Sequence, residues 1–176
     1  MKRKGIAVIL LLALLTAGCA RAPDAAKQMP HDFTVCFSWW YEPERKNLMD
    51  TESGIVQKDL VMDGTASAAF EPDEELMQRL YDMVSADSFL MIEREMTARE
   101  LTTDGTMAGV SPNMCYEVAV TLNGEQFVVR GDQTAAAYAE TDEDAARFAA
   151  VTDELLRTVR ELPEWTALPE ADGAYA

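Results

Sequence analysis

Residues Cys115 to Arg130 constrain the fold more than any other stretch. Cys115 to Leu122 alternates along its length, Asn123-Gly124 follows, and Glu125 to Arg130 alternates again. Asn-Gly is the favoured two-residue connection between antiparallel strands, because both residues accept positive φ at little cost. A side-chain period of two on either side of that turn predicts a hairpin, with Tyr116, Val118, Val120 and Leu122 on one face. Cys115, Glu117, Ala119 and Thr121 take the other face. A lone hairpin is marginal in water, so further strands or a helical layer must cover its apolar side.

Phe33 to Tyr41 supplies one such strand. Phe33, Val35, Phe37, Trp39 and Tyr41 share its apolar face, and Thr34, Cys36, Ser38 and Trp40 the opposite one. Gly54 to Met62 reads as a second strand whose alternation fails at Lys58-Asp59, a pair expected on an exposed edge guarded by charge. Asp63-Gly64 signals a turn before a short strand over Thr65 to Phe70. Glu42 to Ser53 is charged and contains Pro43, and reads as a loop or a wide hairpin connection. Ser88 to Met96 fits a strand or a helical extension, and Leu101 to Asn113 a loop punctuated by Gly105, Gly109 and Pro112.

Two helices stand out. The first is expected to be capped by Glu71, with Pro72 at its first position and Leu76, Leu80 and Val84 on its apolar stripe. The second opens on Thr141 with Asp144, which resembles a capping box, and repeats Ala145, Phe148, Thr152, Leu155, Leu156 and Val159 at helical spacing until Pro163. Trp165 and Leu168 should fold back on the core. The fold class is therefore α+β: an antiparallel sheet of about four to five strands with two main helices packed on one face. It forms a single domain over residues 32–169, followed by a tail over 170–176.

Composition bounds the function. With 176 residues and an apolar fraction of 48%, the chain can bury one core. It carries 15 basic against 31 acidic residues, a net charge of −16, where a nucleic-acid binder needs a basic footprint. A single histidine, His31, excludes any site built from two.

The N-terminus carries an address. Lys2, Arg3 and Lys4 precede an apolar run from Ile6 to Leu15, which is too short to span a bilayer as a helix. Leu15-Thr16-Ala17-Gly18-Cys19 then resembles a bacterial lipoprotein signal. The resemblance implies a signal peptide over residues 1–18, cleavage after Gly18 and acylation of Cys19, which begins a flexible tether over 19–31. Two or three acyl chains, each contributing about 0.8 kcal/mol per CH₂, would hold the domain firmly on a membrane. The processed chain would keep 12 basic against 31 acidic residues, a charge of −19 that repels anionic head groups.

Candidate chemistry is sparse. Cys36 and Cys115 both sit on the more polar face of an expected strand, so they form a disulfide if those strands are neighbours in the right register, and stay independent thiols otherwise. Trp40 is the candidate ligand contact, either a stacking platform for a sugar or a side chain covered by another segment. Ser111 lacks the second glycine of a nucleophile elbow, and His31 lies beside the tether. Asp50-Thr51-Glu52-Ser53-Gly54 suggests a calcium loop, but its glycine comes one place early and no closing glutamate follows. No metal site, cofactor motif or catalytic set is expected.

Lys58-Asp59-Leu60-Val61-Met62-Asp63, the helix from Glu74 to Met83, and Leu168-Pro169 with Gly173 and Tyr175 resemble small uncharacterised lipoproteins of Gram-positive, clostridia-like bacteria. The resemblance implies only a lipid on Cys19. The expected function is that of a non-enzymatic binding or interaction domain, lipid-anchored on the extracytoplasmic face of the cell membrane and meeting an envelope protein or ligand. The alternative is a glycan-binding accessory or carboxylate-based enzyme of the cell wall that uses Trp40.

Overall fold

The computed structural model describes residues 28–103, 105–107 and 109–175. The signal segment, Cys19 and all of the expected tether before Gln28 lie outside the described residues. The chain is α+β, with one open antiparallel sheet of six strands. β1 (Thr34–Glu42), β2 (Arg45–Asp50), β3 (Ile55–Asp59) and β4 (Thr65–Ala69) form a meander. After α1 (Glu74–Ser85), a 3-10 segment over Ala86–Met91 and the short α2 (Ala98–Leu101), the hairpin of β5 (Cys115–Leu122) and β6 (Glu125–Asp132) returns to the far side of β1. The spatial order is β4-β3-β2-β1-β5-β6. A second 3-10 segment over Gln133–Tyr138 leads to α3 (Glu143–Glu161) and α4 (Pro163–Ala167).

Six strands replace the expected four to five because β2 lies in the segment expected to be a connection. Its sequence, Arg45-Lys46-Asn47-Leu48-Met49-Asp50, has too little apolar character to announce a strand. Pairing with β1 on one side and β3 on the other overrides that weak propensity. Asn47 stitches the three together, donating from Nδ2 to the Trp39 carbonyl (3.4 Å) and accepting the Asp59 N–H at Oδ1 (2.9 Å).

Every large apolar side chain that the strands bury lies on one face: Val35, Phe37, Trp39, Met49, Val56, Tyr116, Val118, Val120 and Val129. These join Leu80 and Val84 of α1, Phe148, Leu155 and Val159 of α3, and Trp165 and Leu168 in a single core. Tyr41 departs from the expected alternation and is 38% exposed, because the β1–β2 register shifts between Trp39 and Glu42. The helix caps also move by one or two residues. Asp73, not Glu71, accepts the Leu76 N–H (2.8 Å), and Asp142 rather than Thr141 accepts the Ala145 N–H (3.0 Å). An aspartate oxygen next to the first turn satisfies an otherwise orphaned donor and complements the helix dipole.

Lys58 and Asp59 are not an exposed, charge-guarded edge. Both are buried in β3, an interior strand. The Lys58 ammonium lies 5.1 Å above the Trp165 ring, donates to the Leu168 carbonyl (3.4 Å) and sits 3.7 Å from the Glu170 carboxylate. The expected tail docks beside it: Asp172 bridges Val61, and the Tyr175 hydroxyl donates to Asp59 Oδ2 (2.5 Å) with its ring against Tyr41. Residues 88–96 settle the strand-or-helix ambiguity as a 3-10 segment through Met91 and a single bridge from Met96 to Gly131. A Cβ at Gly131 would stand 2.5 Å from the Met96 carbonyl oxygen, so only glycine admits that contact.

Candidate functional site

The second face of the sheet collects the residues singled out from the sequence. Cys36, Ser38 and Trp40 of β1 lie beside Ala119, Glu117 and Cys115 of β5, pair by pair. Leu48 flanks Ser38 on β2, and Val128 and Arg130 of β6 complete the row. Among the described residues, none of the buried apolar side chains belongs to this face. Trp40 is half-buried, and the Lys46 ammonium stands 4.0 Å from its ring centroid, a cation–π contact occupying one side of the indole. Glu117 and Arg130 form a cross-strand ion pair at 2.7 Å. Lys46 was hidden by its position in the expected connection. Its role depends on a strand that the sequence does not announce.

The structure makes β1 and β5 neighbours, as a Cys36–Cys115 disulfide requires, but the register forbids the bond. Cys36 faces Ala119, whereas Cys115 faces Trp40, four residues along the strand. At about 3.3 Å per residue that offset is roughly 13 Å, well beyond the reach of a disulfide between Cα atoms. Both cysteines are free thiols. Burial pushes the Cys36 thiol up to about 11, with the Asp50 and Glu117 carboxylates adding to the shift. Burial and then Asp132 raise Cys115 as well. Both therefore stay protonated at neutral pH, and a protonated thiol is a poor nucleophile.

Carboxylates are plentiful, but those that shift do so downward, away from the range of a general acid. Asp32 is held down by the Gly124 and then the Asn123 backbone N–H. Glu154 is held down by the Arg157 guanidinium. Burial would raise Asp142, but the Ala145 N–H and the Arg94 side chain outweigh it. The calcium-like stretch is a turn: Asp50 accepts from the Glu52 N–H (3.0 Å) and the Ser53 hydroxyl (2.6 Å), and Gly54 takes φ +64°. His31 and Ser111 are exposed on loops. A network unforeseen from the sequence surrounds Asp132, which accepts from the Thr134 N–H (2.8 Å), the Thr134 hydroxyl and Asn113 Nδ2 (2.9 Å). With its oxygens so engaged, Asp132 caps the 3-10 segment that follows it.

Among the described residues no group of three or more His, Cys, Asp or Glu side chains could hold a metal ion, and no helix is long and apolar enough to cross a membrane. The fold and site define an α+β domain whose antiparallel sheet keeps its large buried apolar side chains to one face. Comparison with known proteins finds no matching family model, no matching curated protein and no matching solved structure.

Proposed function

We propose that this protein is an extracytoplasmic lipoprotein, held through acylated Cys19 on the outer face of a cell membrane, that binds another envelope protein and performs no chemistry itself. The observation that carries the reading is the two-sidedness of the sheet. One face is filled by the core, while the other presents Trp40, Leu48, Ile55 and Val128 among polar and small side chains. Mixed aromatic, aliphatic and polar composition of that kind suits a protein interface with a wet rim. The protonated Cys36 and Cys115 thiols and the lowered carboxyl groups of Asp32, Asp142 and Glu154 favour binding over catalysis. The large negative charge favours a domain that stands off an anionic membrane, tethered by its lipid alone.

The test is in-cell photocrosslinking from a probe at Leu48, with Cys19→Ala as the control for anchoring. One reproducible envelope partner, lost in the control, is the expected result. Failure to crosslink, together with a hydrolase or transferase activity abolished by one carboxylate substitution, would overturn the binding role. A second reading rests on Trp40, whose indole leaves one side free of Lys46 and could stack on a wall sugar. It predicts that purified cell-wall glycan retains the protein and that Trp40→Ala releases it.

A further inference from the structure

The two edges of the sheet are defended very differently. β6 carries Glu125, Arg130 and Asp132, and its outer side is occupied near Gly131 by Met96, whose N–H donates to the Arg130 carbonyl (2.9 Å) and whose carbonyl accepts the Asp132 N–H (3.0 Å). β4, at the opposite edge, reads Thr65-Ala66-Ser67-Ala68-Ala69. It has no charge, no proline and no register shift against β3. Those are the devices with which an edge strand is normally kept from pairing further.

The phase of the ladder fixes which backbone groups are free. The Leu60 N–H donates to the Gly64 carbonyl (2.8 Å) and the Phe70 N–H to the Gly54 carbonyl (2.9 Å), one bond at each end of the β3–β4 pairing. In an antiparallel ladder, hydrogen-bonded and non-hydrogen-bonded pairs alternate. Lys58 with Ala66 and Val56 with Ala68 are therefore the bonded pairs between these two ends. It follows that Thr65, Ser67 and Ala69 turn their N–H and C=O groups away from β3. All three residues are exposed, and among the described residues no hydrogen bond reaches their backbone N–H groups.

We infer that β4 is a strand-addition site for an extended segment of another polypeptide with basic flanks. The charge around the strand chooses the occupant. Asp63 precedes β4, and Glu71 and Asp73 follow it, all exposed. A second copy pairing antiparallel about Ser67 would use all three outward residues, but it would set Asp63 of each copy against Glu71 of the other, in two chains of charge −16. A partner with lysine or arginine at either end of a five-residue strand turns that repulsion into attraction. Its residues beside Ala66 and Ala68, which pack against the core, are apolar, and those beside Thr65, Ser67 and Ala69 face solvent. Main-chain bonds supply affinity and the flanking charges supply orientation and choice of partner. The inference does not depend on membrane anchoring.

The probes are two synthetic peptides with the same Thr-Val-Thr-Val-Thr centre, one flanked by lysines and one by glutamates, titrated into the protein at low salt. The lysine-flanked peptide is expected to bind at least tenfold more tightly and to slow hydrogen exchange at the amides of Thr65, Ser67 and Ala69. Ser67→Pro removes an outward N–H and leaves the backbone ladder to β3 in place, losing only the exposed hydroxyl bond to Gln57 Oε1 (3.3 Å), and should weaken binding at least tenfold while thermal unfolding stays cooperative. The lysine peptide N-methylated at alternate residues leaves the protein unaltered and should not bind. Equal binding of both peptides, protection confined to other amides, or full binding of the N-methylated peptide overturns the inference. Concentration-dependent dimerisation abolished by Ser67→Pro also overturns it, in favour of a second copy as the occupant.

Discussion

Lys58 illustrates how a single charged side chain can be buried without a strong ion pair. Its only carboxylate neighbour among the described residues, Glu170, has a side chain that is 91% exposed, so that contact is screened and contributes little. What remains is a buried four-carbon stem, an ammonium over an indole and its bond to the Leu168 carbonyl. Lys58→Met keeps the volume and removes the desolvation cost, and is expected to leave unfolding free energy within about 1 kcal/mol or to raise it. Lys58→Ala should cost about 1–3 kcal/mol through lost packing; urea unfolding of the two variants distinguishes the cases. The cysteines lead to a second expectation at this scale. Without reductant, Cys36 and Cys115 should both accept iodoacetamide after denaturation and react slowly in the native state, as read by intact mass. A mass two hydrogen atoms lighter with neither residue alkylated would show a bond that the register does not allow.

Among the elements, α3 is both capped and cross-linked by one side chain. Asp142 accepts the Ala145 N–H at the helix start and also receives the Arg94 guanidinium at 2.5 Å, tying α3 to the segment that follows the first 3-10 turn. Asp142→Ala should lower stability by about 1–2 kcal/mol, the usual effect of losing such a cap. The pH dependence has a definite sign. Asp142 and Asp32 both have folded-state values below the ordinary 3.8, so their contribution is fully present above that value and is lost as pH falls through the lower folded values. Asp142→Asn can still cap, but should flatten the part of the acid-unfolding curve below about pH 4. Asp32 acts likewise on the hairpin, accepting the Asn123 N–H (2.8 Å) and the Gly124 N–H (2.6 Å) and so pinning the start of the domain to the β5–β6 turn.

For the whole molecule, self-repulsion is the dominant long-range term. A charge of −16 on 176 residues opposes compaction, and its range shrinks from about 30 Å at 0.01 M salt to about 8 Å at 0.15 M. The melting temperature at pH 7 is therefore expected to rise with sodium chloride over that interval, as read by thermal circular dichroism. A fall would mean that the surface ion pairs, such as Arg157 with Glu154 and Glu161, outweigh the net repulsion. The same charge sets the character of any partner, since association with a basic surface is accelerated and one with an acidic surface is suppressed.

The periodicities carried in local sequence determined much of this. The Asn123-Gly124 hairpin, the buried side of β1 from Val35 to Trp39, the apolar stripes of α1 and α3 and the stop at Pro163 all follow from side-chain period, turn chemistry and backbone restriction. Each depends on residues a few positions apart. What only the tertiary structure decided depends on which segments pair and pack, from adjacent strands of the meander to the C-terminal segment that returns over them. β2 is a strand because β1 and β3 flank it, Lys58 is buried because Trp165 and Leu168 come back over it, and Tyr41 turns out where the register with β2 slips. The register of β1 on β5 parts Cys36 from Cys115 and sets Trp40 beside Cys115. The β1–β5 pairing joins segments about 80 residues apart, and the alternation of one strand fixes which face a side chain takes but not which residue it will meet across the ladder.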